Sequence, residues 1–163
     1  FSLSLDVPGH PVQVMGFPAW ATDGGSVAYK LYDKQGWIGT GLYDLAAGSW
    51  RLIHEYMIAG GTEPWAQLAF SPDGRWLALV NQSDPVTMRY GPALWVLPLA
   101  GGEPILLGAG TSPVWSPDST QLVFTQANGG AFDQDFLQLV LAESWEPVQL
   151  ENMPGGYYPQ SWQ

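Results

Sequence analysis

The sequence has no cysteine in its 163 residues. It can therefore form no disulfide, no thiolate metal site and no cysteine nucleophile. Basic residues are also scarce: five Lys and Arg stand against fifteen Asp and Glu, for a formal net charge of −10. The five, Lys30, Lys34, Arg51, Arg75 and Arg89, form no cluster, which argues against a nucleic-acid partner; the acidity itself reads as solubility. No apolar run approaches the roughly 18 residues of a membrane span. Only two histidines occur, His10 and His54, and neither belongs to a carboxylate–His–His metal spacing. No Gly-x-Ser-x-Gly elbow is present. The nearest match, Gly24-Gly25-Ser26-Val27-Ala28, lies where a turn enters a strand. The glycine pairs Gly101-Gly102 and Gly129-Gly130 read as hairpin or loop glycines, not a phosphate cradle. The chain opens at Phe1 without a signal-like region, and is read as a processed form or a fragment.

What the chain does have is turns and aromatics: 20 Gly, 14 Pro and nine Trp. Such a composition suits an all-β fold of many short strands. The clearest local signal is Phe70-Ser71-Pro72-Asp73-Gly74 followed by the apolar run 76–80. Ser at the first position, Pro at the second, Asp at the third and Gly at the fourth match a type I turn. A run apolar on both alternating faces reads as a strand covered on both sides.

The stretch recurs. Aligning Trp20-Ala21-Thr22-Asp23-Gly24, Phe70 to Gly74, Trp115-Ser116-Pro117-Asp118-Ser119 and the terminal Trp162 gives spacings of 50, 45 and 47 residues. That period belongs to four-stranded β-propeller blades. Calling the strands of a repeat A to D, strand A ends at the anchor aromatic. Strand B follows at 26–32, 75–81 and 120–126; strand C at 37–45, 93–99 and 136–141; strand D at 50–54, 104–107 and 147–150. Pro104 and Pro147, each after a Glu, fit the start of an outer edge strand. The first fifteen residues resemble a C and D pair, through the likeness of 2–14 to 95–107.

The expected fold is thus an all-β propeller of four-stranded antiparallel blades. Residues 1–163 form one domain or part of one, with three complete blades at 16–54, 63–107 and 111–150. A split blade takes strands C and D from 1–15 and strand A from 157–163. Three arrangements are open: part of a longer propeller, two chains exchanging ends to close one ring, or a strained four-bladed ring. Ser119 replaces the turn Gly in the third copy, at a cost near 1 kcal/mol if the position needs positive φ.

The repeated aromatic-Ser-Pro-Asp-Gly and its following strand resemble the PD40, or WD40-like, repeat of the TolB C-terminal propeller and of prolyl-oligopeptidase and dipeptidyl-peptidase propellers. The match is strongest at Phe70, Ser71, Pro72, Asp73 and Gly74. It is good at Trp115, Ser116, Pro117 and Asp118, weaker at Trp20, Asp23 and Gly24, and cut off at Trp162. In such a family these residues are structural. The resemblance implies a non-catalytic scaffold for a protein or peptide. Alternatives are the gating propeller of a serine hydrolase whose catalytic domain lies elsewhere, and a carbohydrate-binding or lyase-type propeller. Its tendency in location is periplasmic or secreted. No catalytic residue, metal or cofactor is expected.

In a four-stranded meander the A–B and C–D turns share one face, and the B–C and D–A loops share the other. The latter are longer and variable here, and function concentrates in such loops. That face is expected to carry Tyr56, Glu63, Trp65, Asp84, Arg89, Tyr90, Asp133, Asp135, Tyr157 and Tyr158, aromatics and flanking charges suited to a protein, peptide or sugar. Asp133-Gln134-Asp135 supplies too few oxygens for a Ca²⁺ site. His10 and His54, in or beside D strands, are expected at the surface or an edge. Light scattering tests the two-chain ring: it requires a stable species of twice the 17.7 kDa chain mass, and a clean monomer rules it out.

Overall fold

A computed structural model describes residues 7–57, 67–84, 89–126, 136–142 and 144–152. These contain twelve strands and no helix. The strands form three four-stranded antiparallel meanders, each in simple sequential order. Blade 1 holds β1 (Gln13–Trp20), β2 (Ser26–Tyr32), β3 (Trp37–Asp44) and β4 (Ser49–Met57). Blade 2 holds β5 (Gln67–Phe70), β6 (Trp76–Asp84), β7 (Arg89–Pro98) and β8 (Ile105–Ala109). Blade 3 holds β9 (Thr111–Trp115), β10 (Gln121–Gln126), β11 (Phe136–Leu141) and β12 (Pro147–Asn152). The first strands adjoin one another, β1 beside β5 and β5 beside β9, so the blades stack side by side around their inner strands.

The A–B turns explain why the strands begin where they do. Gly74 N–H donates to Ser71 O at 2.9 Å, closing the type I turn, and Ser71 N–H donates to Trp76 O at 2.9 Å. The buried Ser71 hydroxyl donates to Asp73 Oδ1 at 2.6 Å and accepts from Trp76 N–H at 3.0 Å. Asp73 Oδ1 also accepts from Arg75 N–H at 3.0 Å, and its other oxygen pairs with the Arg75 guanidinium. Blade 3 repeats the scheme: Ser116 donates to Asp118 at 2.6 Å and accepts from Gln121 N–H at 2.9 Å. Burial works to raise the Asp73 pKa, but the bonds from Ser71 and Arg75 outweigh it and hold the carboxyl below its ordinary 3.8. Asp118 is held low first by Ser116, then by Thr120. In blade 1, Ala21 stands where the other copies have Ser, and Asp23 accepts from Gly25 N–H at 2.8 Å.

Gly74 has φ 70° and Ser119 has φ 63°, so Ser119 bears the left-handed strain that the sequence anticipates. The structure adds a compensation. Asp73 N–H donates to Ser119 Oγ at 2.9 Å, tying the blade 2 turn to the blade 3 turn. Glycine could not make this bond.

Adjacent blades bury apolar faces against each other. Leu77, Leu79, Trp95 and Leu97 of blade 2 meet Ala28 and Leu42 of blade 1. The opposite face of blade 2, with Ala78, Val80, Leu94 and Val96, meets Leu122, Phe124 and Val140 of blade 3. In blades 2 and 3 the anchor aromatic belongs to the seam with the blade before it. Phe70 packs among Ala21, Ala28 and Leu42, and Trp115 Nε1–H donates to Ala69 O at 3.0 Å. Trp20, at the equivalent position of blade 1, is 61% exposed and departs from its expected packing role.

Several boundaries differ from expectation. Residues 13–15 are not an outer D strand. They open β1, pairing with Lys30, Leu31 and Tyr32, and a register shift between Met15 and Ala19 separates them from the second half of the strand. Strands β6 and β7 run into the expected loop of residues 82–92, to Asp84 and from Arg89. After a shift between Asn81 and Ser83 the ladder resumes, pairing Ser83 with Tyr90 and Asp84 with Arg89. Strand β4 extends to Met57, because Glu55, Tyr56 and Met57 keep pairing with Gly39, Ile38 and Trp37. The proposed strands within 1–6 and 157–163, with Trp162, lie outside the described residues.

Three variants separate strain from bonding in the turns, read by urea midpoints. Ser71→Ala leaves the Trp76 N–H unsatisfied and should cost about 1–3 kcal/mol. Ser119→Gly trades about 1 kcal/mol of relieved strain for about 1 kcal/mol of lost hydrogen bond, and should be near neutral. Ser119→Ala keeps the strain and loses the bond, so it should fall about 1 kcal/mol below Ser119→Gly; equal midpoints for the two would show that the left-handed φ is not a burden there.

Candidate functional site

Strand direction places the A–B turns (21–25, 71–75, 116–120) and the C–D turns on one face, and the B–C and D–A connections on the other. At the loop face of blade 1 the hairpin after β2 is closed by Asp33. Its Oδ1 accepts from Gln35 N–H and Trp37 N–H, each at 2.8 Å. Its Oδ2 lies 2.7 Å from His10 Nδ1. The His10 ring stacks on Trp37 with centroids 4.6 Å apart and an interplanar angle of 21°. Trp37 in turn donates its indole N–H to Glu55 Oε2 at 2.8 Å. His10 above all, and then the turn amides, hold the Asp33 carboxyl below its ordinary 3.8. This corrects the edge reading of His10: it pins the segment ahead of β1 against blade 1.

On the opposite side of blade 1, facing blade 2, lies a second polar group. Strand pairing sets Lys30 opposite Thr40 and Thr40 opposite His54, so the three form one row across β2, β3 and β4. Lys30 is 1% exposed. Its ammonium donates to Asn81 Oδ1 of blade 2 at 3.1 Å and to Thr40 Oγ1 at 3.4 Å, and stands 5.0 Å from the centre of the Tyr56 ring, a cation–π distance. The His54 ring lies 5.7 Å from Tyr56 and 6.0 Å from Trp95 of blade 2. Burial, and then the Lys30 charge, push the His54 pKa down to about 4, with Glu55 pulling weakly the other way. His54 therefore stays neutral at pH 7. It is half-buried with a buried Nε2, not a surface residue, which corrects the sequence expectation.

Of the residues expected on this face, Tyr56 joins the cluster, but from strand β4 and not from a loop. Asp84, Arg89 and Tyr90 are strand residues of β6 and β7. Glu63, Trp65, Asp133, Asp135, Tyr157 and Tyr158 lie outside the described residues. Sequence reasoning missed Lys30, Thr40, His54, Asn81 and Trp95. One signal was present: ten residues after the anchors stand Lys30, Val80 and Thr125, so a lysine occupies a place given to Val or Thr in the sister repeats. Among the described residues, no three His, Asp or Glu side chains group as metal ligands would.

No protein-family model matches the sequence, and neither does any curated protein sequence. Solved structures do. An oligogalacturonate lyase in complex with manganese superposes with a TM-score of 0.70 at 16% identity, over 93% of this chain and 45% of the lyase. The β-propeller domain of the Trilobed protease from Pyrococcus furiosus gives 0.66 at 18% identity, over 86% of this chain and 43% of that one. A prolyl endopeptidase gives 0.63 at 16% identity, over 88% of this chain and 22% of the enzyme. The chain spans less than half the length of each. Identities this low speak for the fold alone: the chain is built of four-stranded β-propeller blades.

The depressed His54 pKa gives stability a pH dependence. Below 6.5 the unfolded chain protonates this histidine while the folded chain does not, so stability is full above about 6.5 and falls as pH drops towards about 4. Each pH unit in that window should cost up to about tenfold in the folding constant. Urea midpoints between pH 7 and 5 should fall more steeply for the native chain than for His54→Gln; equal slopes would mean that His54 titrates normally. A further loss should begin only below pH 3.8, where the depressed Asp33, Asp73 and Asp118 take up protons.

Proposed function

We propose that these propeller blades form a non-catalytic scaffold that binds a protein or peptide on the B–C and D–A face. The observation that carries the reading is an asymmetry between the two faces. On the turn face, the serines and aspartates of blades 2 and 3 are consumed by their own turns. On the loop face, the blade 1–blade 2 seam gathers a cation, a neutral histidine and two aromatic rings, and several of its polar atoms are not consumed by the fold. Aromatic rings and cations are frequent anchors of protein recognition.

The other two readings rest on the fold alone. One fold carries many functions, so the lyase and peptidase among the structural neighbours support neither a lyase nor a gating role in particular. Tyr56 and Trp95 would also suit a sugar ring, and a glycan panel belongs beside the peptide panel as its control.

Binding of a random peptide library to the chain, followed by affinity measurement on the selected peptides, tests the reading. Tyr56→Ala should weaken the selected peptides by about tenfold, roughly 1.4 kcal/mol, measured well below its thermal midpoint. Leu45→Ser, at an exposed position on the turn face, should leave affinity unchanged. Selection of glycans but no peptide, or an equal loss in Leu45→Ser, would overturn it.

A further inference from the structure

Each seam joins an anchor to a socket. The anchor is the aromatic that ends an inner strand, and the socket is a residue pair facing it from the blade before. Phe70 shares a buried cluster with Ala28 and Leu42 of blade 1. Trp115 shares one with Ala78 and Val96 of blade 2. The two sockets are equivalent in register, since Ala28 pairs with Leu42 and Ala78 with Val96. The same register in blade 3 pairs Val123 with Leu139. Among the described residues, the two seams therefore leave one anchor, Trp20, and one socket, Val123 with Leu139, at opposite ends of the blade stack.

Neither is buried. Trp20 is 61% exposed and begins a row across all four strands of blade 1: it pairs with Val27, Val27 with Tyr43, and Tyr43 with Trp50. The last three are only half-buried. The sister rows, Phe70, Leu77 and Leu97 in blade 2 and Trp115, Leu122 and Val140 in blade 3, are buried throughout. Val123 and Leu139 are likewise half-buried, where Ala28, Leu42, Ala78 and Val96 are buried. A row with three aromatics and no charge has the make-up of a seam and not of a solvated face.

We infer that the Trp20 row of one copy of this chain seats on the Val123–Leu139 socket of a second copy. The contact continues the seam already used twice, and no strand is exchanged. Each copy offers a different face, so the contact is heterologous, and two such contacts close a pair of chains into a ring. Two sets of three blades fall within the roughly four to eight of closed propellers. Ser119, which accepts from Asp73 N–H at the blade 2–blade 3 seam, has its counterpart in Gly24, which carries no hydroxyl. The new seam therefore depends on the apolar row. The net charge of −10 on each chain opposes pairing, so added salt should tighten it. Whatever the loop face binds, this joint sets two such faces on one side of the assembly.

The test exploits the absence of cysteine. Thr22→Cys and Pro117→Cys place single thiols on exposed turn residues beside the anchor and the socket. The two variants are mixed and treated with a short bismaleimide. Light scattering should show twice 17.7 kDa for the native chain, and a covalent pair should form in the mixture but in neither variant alone. Trp20→Ser should weaken association at least about tenfold and abolish the cross-link. Leu139→Asp should do the same from the socket side, while an equimolar mixture of the two variants recovers one contact. Trp162, the fourth anchor of the repeat, competes for the same socket. If the native chain is monomeric and only Trp162→Ser pairs and cross-links, the chain fills its own socket and the inference is overturned. A dimer that does not cross-link means that another element lies between the two faces, and also overturns it. So does a monomer at every concentration and salt.

Discussion

The structure depends on one constraint: a four-stranded blade cannot cover its own two faces, so every blade must borrow a neighbour. The anchor aromatic at the end of each inner strand shows how. Trp115 donates to Ala69 O in the blade before it, and Phe70 lies in the core shared with Ala21 and Leu42. Burying a side chain of this size is worth about 2–3 kcal/mol, and the indole N–H fixes depth and register as well. Trp20 holds the equivalent place in blade 1. Its position is built for a seam, and the other residues on that face of blade 1, Tyr29, Leu31 and Trp37, are covered in part by Val7 and Val12. Tyr29 pays for close packing in another way: its ring lies so near Gly41 that any Cβ there would sit 2.5 Å from it. Burial, with Tyr43 nearby, pushes its phenol pKa up to about 12.

The two described seams solve the same problem with different chemistry. The seam between blades 2 and 3 is apolar in its middle and tied at its ends. Besides Trp115, the Ser119 hydroxyl accepts from Asp73 N–H, and Ser112 N–H donates to Gln67 Oε1 at 2.6 Å. Trp145 packs edge-on against both Trp76 and Trp115. The seam between blades 1 and 2 is apolar near the turn face, where Arg51 also reaches Leu99 O. Towards the loop face it becomes polar at Lys30, Thr40, His54 and Asn81. A seam with a buried cation and unsatisfied polar atoms gives up stability that an apolar filling would have supplied.

What was legible in the sequence was whatever local chemistry decides. Strands β2 and β11 start and stop where the turn residues and the apolar runs place them. The strain at Ser119 could be read from a Gly-to-Ser exchange at a fixed turn position. The extension of β6 and β7 could not, because pairing Asp84 with Arg89 depends on a ladder resuming after a bulge, and no single residue announces that. Lys30 was hidden for a related reason. A lysine on a strand defaults to solvent, and only the face of blade 2, about fifty residues downstream by the repeat, determines that this one is enclosed. His54 followed Lys30 into the seam through strand register, so its depressed pKa is a property of two blades and not of its own strand. Most of the loop-face aromatics and acids named from sequence fall outside the described residues, and the cluster that did emerge drew its members from strands.

The sister repeats sharpen the meaning of Lys30. At its position blade 2 has Val80, inside the apolar core against blade 3, and blade 3 has Thr125, also buried. The fold is therefore content with a small β-branched side chain there. Valine at that place leaves no ammonium to solvate, asks nothing of Asn81, and exerts no charge on His54. A lysine instead requires Thr40 and Asn81 as acceptors, turns the Asn81 amide into an orphan donor, and helps hold His54 neutral. Each of these is a cost or a constraint that blade architecture does not demand.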